Sequence, residues 1–69
     1  MTRVIIIYDR LNRRWLQNAE EPYEVAWTDT EAQCSFYEPE RLTDLLKMIE
    51  QQSENEVWVQ VIEMYINSL

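Results

Sequence analysis

Residues 39–52, PERLTDLLKMIEQQ, carry the only strongly helical periodicity in the chain. Leu42, Leu45, Leu46 and Ile49 fall at i, i+3, i+4 and i+7, which places them on one stripe of an α-helix. Glu40, Arg41, Thr43, Asp44, Lys47 and Glu50 occupy the other face. Pro39 suits a first helical turn, where its missing N–H has no partner to lose. Ser53 and Asn55 then favour a stop. A single helix cannot bury its stripe alone, so the segments on either side must form the layer it covers.

Those segments read as strands. Arg3–Asp9, RVIIIYD, is β-branched and apolar at consecutive positions, as a strand covered on both faces would be. Asp9–Arg14 is polar and reads as a turn, with Trp15–Gln17 returning as a short second strand. Asn18–Pro22 reads as a connection. Tyr23–Thr28 alternates, with Tyr23, Val25 and Trp27 on one face. Asp29–Ala32 turns the chain, and Gln33–Tyr37 alternates again, so a second hairpin is predicted there. Glu56–Ile66 is rich in Val, Ile, Trp and Tyr and reads as a last strand. It is long enough that it is expected to end or bend near Glu63, with a helical tail from Val61 to Leu69 as the alternative for its second half. The expectation is one α+β domain over residues 1–69. It has a small antiparallel or mixed β-sheet of four to five strands in the order β-β-β-β-α-β, with one amphipathic helix packed on one face.

That architecture leaves one side of the sheet open. In the last strand Val57, Val59 and Val61 share one face, while Trp58, Ile62 and Met64 share the other with Gln60. The helix covers only one side, so Trp58, Ile62 and Met64 are the candidate apolar interface for a second copy or a partner. A homodimer is the expectation from the size as well. A domain of 69 residues has a core worth only a few kcal/mol unless stapled. Cys34 is the sole cysteine and there is no histidine, so neither an internal disulfide nor a zinc site is expected. Cys34 reads as a small packed residue rather than a reactive thiol, and a free thiol fits a reducing, cytoplasmic setting.

Charge adds a second candidate surface. The net charge is −7, unevenly spread. Residues 1–14 hold four arginines against Asp9, a net of +3, and residues 15–69 hold Arg41 and Lys47 against twelve carboxylates, a net of −10. Direct nucleic-acid binding is disfavoured, because phosphate neutralisation needs clustered Lys and Arg. The eight aromatic residues could stack bases only beside a positive groove, so they read as core and interface anchors. Arg10, Arg13 and Arg14 beside Trp15 read as a solvated turn pairing with nearby carboxylates. A basic protein partner is favoured instead, with Glu20, Glu21, Glu24, Asp29 and Glu31 presenting phosphate-like charge. The alternative is acidity that serves solubility alone.

No enzymatic reading is supported. The carboxylate pairs Glu20/Glu21 and Glu54/Glu56 have no pocket implied around them. Without histidine no Ser–His or Cys–His arrangement exists, and without glycine no phosphate cradle exists. No metal or cofactor is expected. The longest early apolar run, Val4–Tyr8, is too short for a signal region or membrane span.

The phrase IIIYDRLNRRWLQ followed by EPYEV resembles the N-terminal strand–turn–strand of the large chorismate-using synthases of the aminodeoxychorismate group. None of that family's catalytic positions falls in this stretch, so no residue role carries over. In size and charge the chain resembles phage-encoded anti-defence proteins, the anti-CRISPR and DNA-mimic antirestriction inhibitors. That resemblance implies a non-enzymatic inhibitor of a basic, nucleic-acid-handling protein, acting in the host cytoplasm. Two other readings remain open: a self-associating structural or regulatory subunit, and a small-molecule binder with a tryptophan-lined dimer pocket.

Overall fold

A computed structural model describes residues 1–20, 24–53 and 55–67. Four strands form one antiparallel sheet: β1 (Thr2–Asp9), β2 (Arg14–Glu20), β3 (Glu24–Thr28) and β4 (Val59–Ile66). Their spatial order is β3-β2-β1-β4. The helix α1 (Leu42–Gln52) follows β3 and precedes β4, so the class is α+β. The consecutive apolar run of β1 suits its central position, where Val4 to Ile7 are buried on both faces.

One face of the sheet carries the core. Ile5 and Ile7 of β1, with Leu16 and Ala19 of β2, pack against Leu45, Met48 and Ile49 of α1 and against Tyr37. Val25, Trp27, Val59 and Val61 flank this cluster from the outer strands. Leu45 is completely buried, so truncating it to alanine costs about 2–5 kcal/mol, a large part of what a domain this size possesses. The helix starts later than its periodicity predicts. Pro39–Arg41 form a 3-10 turn, and Ser53 ends α1 by returning its N–H and hydroxyl to the Ile49 carbonyl. The buried stripe is also rotated: Met48 is buried, whereas Leu46 is 38% exposed. Leu46 lies on the flank of the helix, over a shallow cleft shared with Ile49, Val57 and Val59. Helical spacing favours Leu46, about 50° from the axis of the predicted stripe against about 110° for Met48, so the rotation is set by packing against the sheet.

The second hairpin is not formed as predicted. β3 pairs with β2, from Glu20↔Glu24 to Trp15↔Thr28, with a bulge between Leu16 and Asn18. The residues Asn18–Glu20, expected in a connection, therefore belong to a longer β2. Glu31–Gln33 form a 3-10 turn, and the fourth predicted strand reduces to a single bridge. β1 and β2 pair only at Tyr8↔Trp15 and Asp9↔Arg14 before they diverge. Ser35–Tyr37 lies in the gap. Ser35 N–H donates to the Leu16 carbonyl, its hydroxyl donates to the Gln17 carbonyl, and Tyr37 exchanges both backbone hydrogen bonds with Ile5. Local alternation made 33–37 look like a hairpin partner of β3, but its pairing groups meet β1 and β2 instead.

β4 pairs with β1 in unbroken register from Thr2↔Ile66 to Asp9↔Val59. It neither bends near Glu63 nor turns helical before Ile66. Glu63 is accommodated because Arg3, on the neighbouring strand and the same face, reaches its carboxylate at 3.0 Å.

The β1–β2 turn is organised by Asp9, which is fully buried. Its Oδ1 accepts the backbone N–H groups of Leu11, Asn12 and Trp58, and its Oδ2 accepts Asn12 Nδ2 at 2.7 Å and Arg14 Nε at 2.9 Å. One carboxylate thus ties the turn to the entry of β4. Burial alone works against its charge, but the hydrogen bonds from Asn12, Trp58 and Arg14 outweigh that and hold the carboxyl below its usual range. Arg13 adopts a left-handed conformation with φ of 55° to close the turn, a task usually given to glycine, which this chain lacks.

Candidate functional site

The sheet face opposite α1 is the candidate site. Cross-strand pairs share a face, so the register assigns its residues. β1 contributes Thr2, Val4, Ile6 and Tyr8, and β4 contributes Gln60, Ile62, Met64 and Ile66. β2 and β3 contribute Trp15, Asn18, Glu20, Glu24, Ala26 and Thr28. α1 packs on the opposite face, and the 3-10 turn Glu31–Gln33 approaches this one at the end of β3.

The face has two unlike halves. On the β1–β4 half, Ile62 stands across from Ile6 and Met64 across from Val4. Val4 and Ile6 are buried, whereas Ile62, Met64 and Ile66 are half-buried. Trp58, one residue ahead of β4, is 54% exposed. Its indole N–H donates to Glu56 Oε1 at 3.1 Å. On the β2–β3 half, Trp15 tilts against Tyr8 with ring centroids 4.3 Å apart. Thr28 donates its hydroxyl hydrogen to Gln33 Oε1, so the 3-10 turn hangs over this end of β3. The surface left open is aliphatic, with tryptophan at one end.

The predicted acidic set does not form one patch. Glu20 and Glu24 face each other across β2 and β3, both exposed, with no cationic partner among the described residues. Like charges directly opposite one another destabilise a sheet unless something neutralises them. Asp29 and Glu31 lie past the far end of β3, Asp29 about 16 Å from Glu24 at strand rise. Glu21 lies outside the described residues. Strand residues on the helix-free face include no other charge than Glu20 and Glu24. That pairing is a feature the sequence does not announce, since four residues of spacing identify neither a hairpin nor a shared face.

The opposite face offers two shallow clefts. One, of about 250 Å³, is lined by Arg14, Val25, Trp27, Gln52, Ser53 and Asn55. Arg14 lies in it with its guanidinium carbon 4.5 Å from the centre of the Trp27 ring while its Nε serves Asp9. Of the turn arginines, then, Arg14 is a structural cation. The Trp27 ring is a stacking platform already occupied. Cys34 is half-buried, beyond a 3-10 turn rather than on a strand. Burial, then the charge of Glu31, pushes its thiol up from the ordinary range, which disfavours the nucleophilic thiolate. Glu54 of the predicted Glu54/Glu56 pair lies outside the described residues. No group of three or more His, Cys, Asp or Glu is placed to hold a metal ion among the described residues. No helix among them is long and apolar enough to cross a membrane.

No protein-family model, no curated protein and no solved structure matches the chain. The site's chemistry therefore has to be read from its own residues.

Proposed function

We propose that this chain is a non-catalytic protein-binding module that docks its partner on the helix-free face. One observation carries the reading: an aliphatic surface at Ile62, Met64 and Ile66, bordered by Trp58, shares its face with two unneutralised carboxylates and no cation. A matching partner brings an apolar patch to β4 and a lysine or arginine to Glu20 and Glu24. The aliphatic contact supplies affinity by leaving water, and the carboxylates supply orientation and a faster encounter. The partner class we infer is a basic, nucleic-acid-handling protein, because such proteins carry the cationic fields that acidic flanks recognise. Occupying that surface would inhibit it, which is how an anti-CRISPR or DNA-mimic protein acts. A stretch of 16 Å of duplex carries roughly nine phosphate charges, more than this flank presents. The mixed apolar and acidic surface thus favours protein docking over imitation of DNA charge alone.

The test is capture from lysate of the producing cell with the tagged chain at low and high salt. The wild type is expected to retain a basic protein that is lost as salt rises. Glu20→Lys with Glu24→Lys, and separately Met64→Asp, are each expected to lose it at least tenfold, while Asp44→Lys on the helix surface keeps it. Capture indifferent to all of these changes refutes the reading.

A further inference from the structure

The outer edge of β4 has backbone hydrogen-bonding groups with no partner among the described residues. Ile5 exchanges both its backbone hydrogen bonds with Tyr37, on the side away from β4. Arg10 sends its N–H the other way, to the Trp58 carbonyl. Backbone groups alternate along a strand, so Val4, Ile6 and Tyr8 turn toward β4 and pair with Met64, Ile62 and Gln60. The N–H and C=O groups of Val59, Val61, Glu63 and Tyr65 must then point outward, away from β1. β4 is the last strand in the sheet order, so nothing in the sheet receives them.

Natural edge strands are blunted by proline, charged side chains, a bulge, shortness or a covering element. β4 spans eight residues, VQVIEMYI, in unbroken register, with no proline, lysine or bulge and one charge, Glu63. That charge is neutralised by Arg3 at 3.0 Å in an exposed ion pair. Tyr65 is 62% exposed beside it.

We infer that β4 pairs antiparallel with β4 of a second copy, in the register centred on Ile62. Three constraints select that register. Outward-facing residues must meet outward-facing residues, so a two-fold axis has to pass through a residue rather than between two. Centring on Glu63 opposes two carboxylates, which is unfavourable. Centring on Val61 shortens the shared strand to residues 59–63. Centring on Ile62 pairs residues 59–65 of each copy: Val59 meets Tyr65, Val61 meets Glu63, Gln60 meets Met64, and Ile62 meets itself. Just beyond, Trp58 comes opposite Ile66, so both exposed aromatics gain aliphatic neighbours.

The product is an eight-stranded sheet with both helices on one side. The helix-free face is doubled in width, and the Glu20/Glu24 pairs lie toward its two outer ends. Association on this edge strengthens with salt, since each chain carries −7 and salt screens the repulsion. Partner capture at the acidic flank weakens with salt, so the two proposals fail separately.

The experiment uses the full chain in a Cys34→Ser background under mild oxidation. Ile62→Cys is expected to form a covalent dimer, because directly opposed residues of a non-hydrogen-bonded pair have Cα atoms about 4.5 Å apart, within disulfide range. Gln60→Cys alone and Met64→Cys alone are expected to stay uncrosslinked, while their equimolar mixture yields the mixed dimer. Glu63→Pro removes an outward N–H together with the exposed ion pair to Arg3, and Glu63→Gln, which loses only the ion pair, is the control expected to stay a dimer. Glu63→Pro is expected to leave circular dichroism unchanged and to lower the sedimentation mass from dimer to monomer. A wild-type chain that sediments as a monomer at millimolar concentration overturns the inference. So does a folded Glu63→Pro variant that still dimerises, or Gln60→Cys crosslinking as readily alone as in the mixture.

Discussion

Replacing Asp9 by asparagine changes one oxygen to an amide nitrogen and leaves the shape of the side chain almost untouched. It therefore isolates the electrostatics of the β1–β2 turn. In the wild type, Oδ1 accepts three backbone N–H groups and Oδ2 accepts Asn12 Nδ2 and Arg14 Nε. Asparagine can keep its oxygen on the three backbone donors, but its NH₂ then points at two other donors. Those two charge-assisted bonds are lost, and Asn12 and Arg14 must find water. Arg14 does so readily, with 32% of its side chain exposed, whereas position 9 is fully buried. Hydrogen bonds to a charged group contribute about 1.5–3 kcal/mol each but do not add fully. The expected loss for Asp9→Asn is therefore about 2–3 kcal/mol. For Asp9→Ala, which frees all five donors, it is about 3–5 kcal/mol. A chain of this size has only about 3–5 kcal/mol to lose. Thermal unfolding followed by far-UV circular dichroism should show Asp9→Asn melting some 10–20 °C below the wild type and Asp9→Ala largely unfolded. An Asp9→Asn variant within 0.5 kcal/mol of the wild type would refute the view that this carboxylate holds the turn and the β4 entry together.

The pH dependence follows from the same group: its folded pKa lies below the ordinary 3.8, so as pH falls the unfolded chain takes the proton first. Its stabilisation is complete above about pH 5 and drains away as pH drops through 3.8 and below; a urea midpoint that stays level from pH 6 to pH 3 contradicts this. Arg13→Gly relieves a left-handed φ of 55° and should raise stability by about 0.5–1 kcal/mol, after the entropy that glycine adds to the unfolded chain; a lower urea midpoint would count against it. The Tyr37 hydroxyl is buried and makes no hydrogen bond of regular geometry among the described residues, with Ser35 as its one polar side-chain neighbour, so Tyr37→Phe should change stability by no more than about 1 kcal/mol in either direction, and a larger loss would reveal a strong partner. Cys34, with its thiol pushed up by burial and by Glu31, should alkylate at neutral pH several-fold more slowly than in the urea-unfolded chain.

Several features of the fold are legible from residue patterns. The helix follows from the spacing of Leu42, Leu45 and Ile49, β1 from its β-branched run, and β3 from alternation at Val25 and Trp27. These are local signals: α1 and β3 each bury one face, which imposes a period, and β1 buries both, which gives an unbroken apolar run. The misreadings share a cause. Gln33–Tyr37 alternates like a strand, yet it is a wedge between β1 and β2, because the divergence of those strands exposes backbone groups that only a distant segment can satisfy. Glu63 looked like a break in β4 until Arg3, sixty residues away, arrived beside it.

Of the candidate site, the separation of Val59 and Val61 from Ile62 and Met64 was readable, since strand alternation is a property of the chain itself. The acidic set was readable only as composition. Which carboxylates share a face, and with what, depends on pairing partners.

Sequence by itself determined that this protein has one amphipathic helix, a short apolar sheet and an acid excess, because periodicity and charge are written residue by residue. Only the tertiary structure decided that Asp9 would be buried among five donors. It alone set Glu20 opposite Glu24 and left the outer edge of β4 unpaired. The reason is physical: hydrogen-bond direction and strand order depend on contacts between residues far apart in the chain, and no local pattern encodes them.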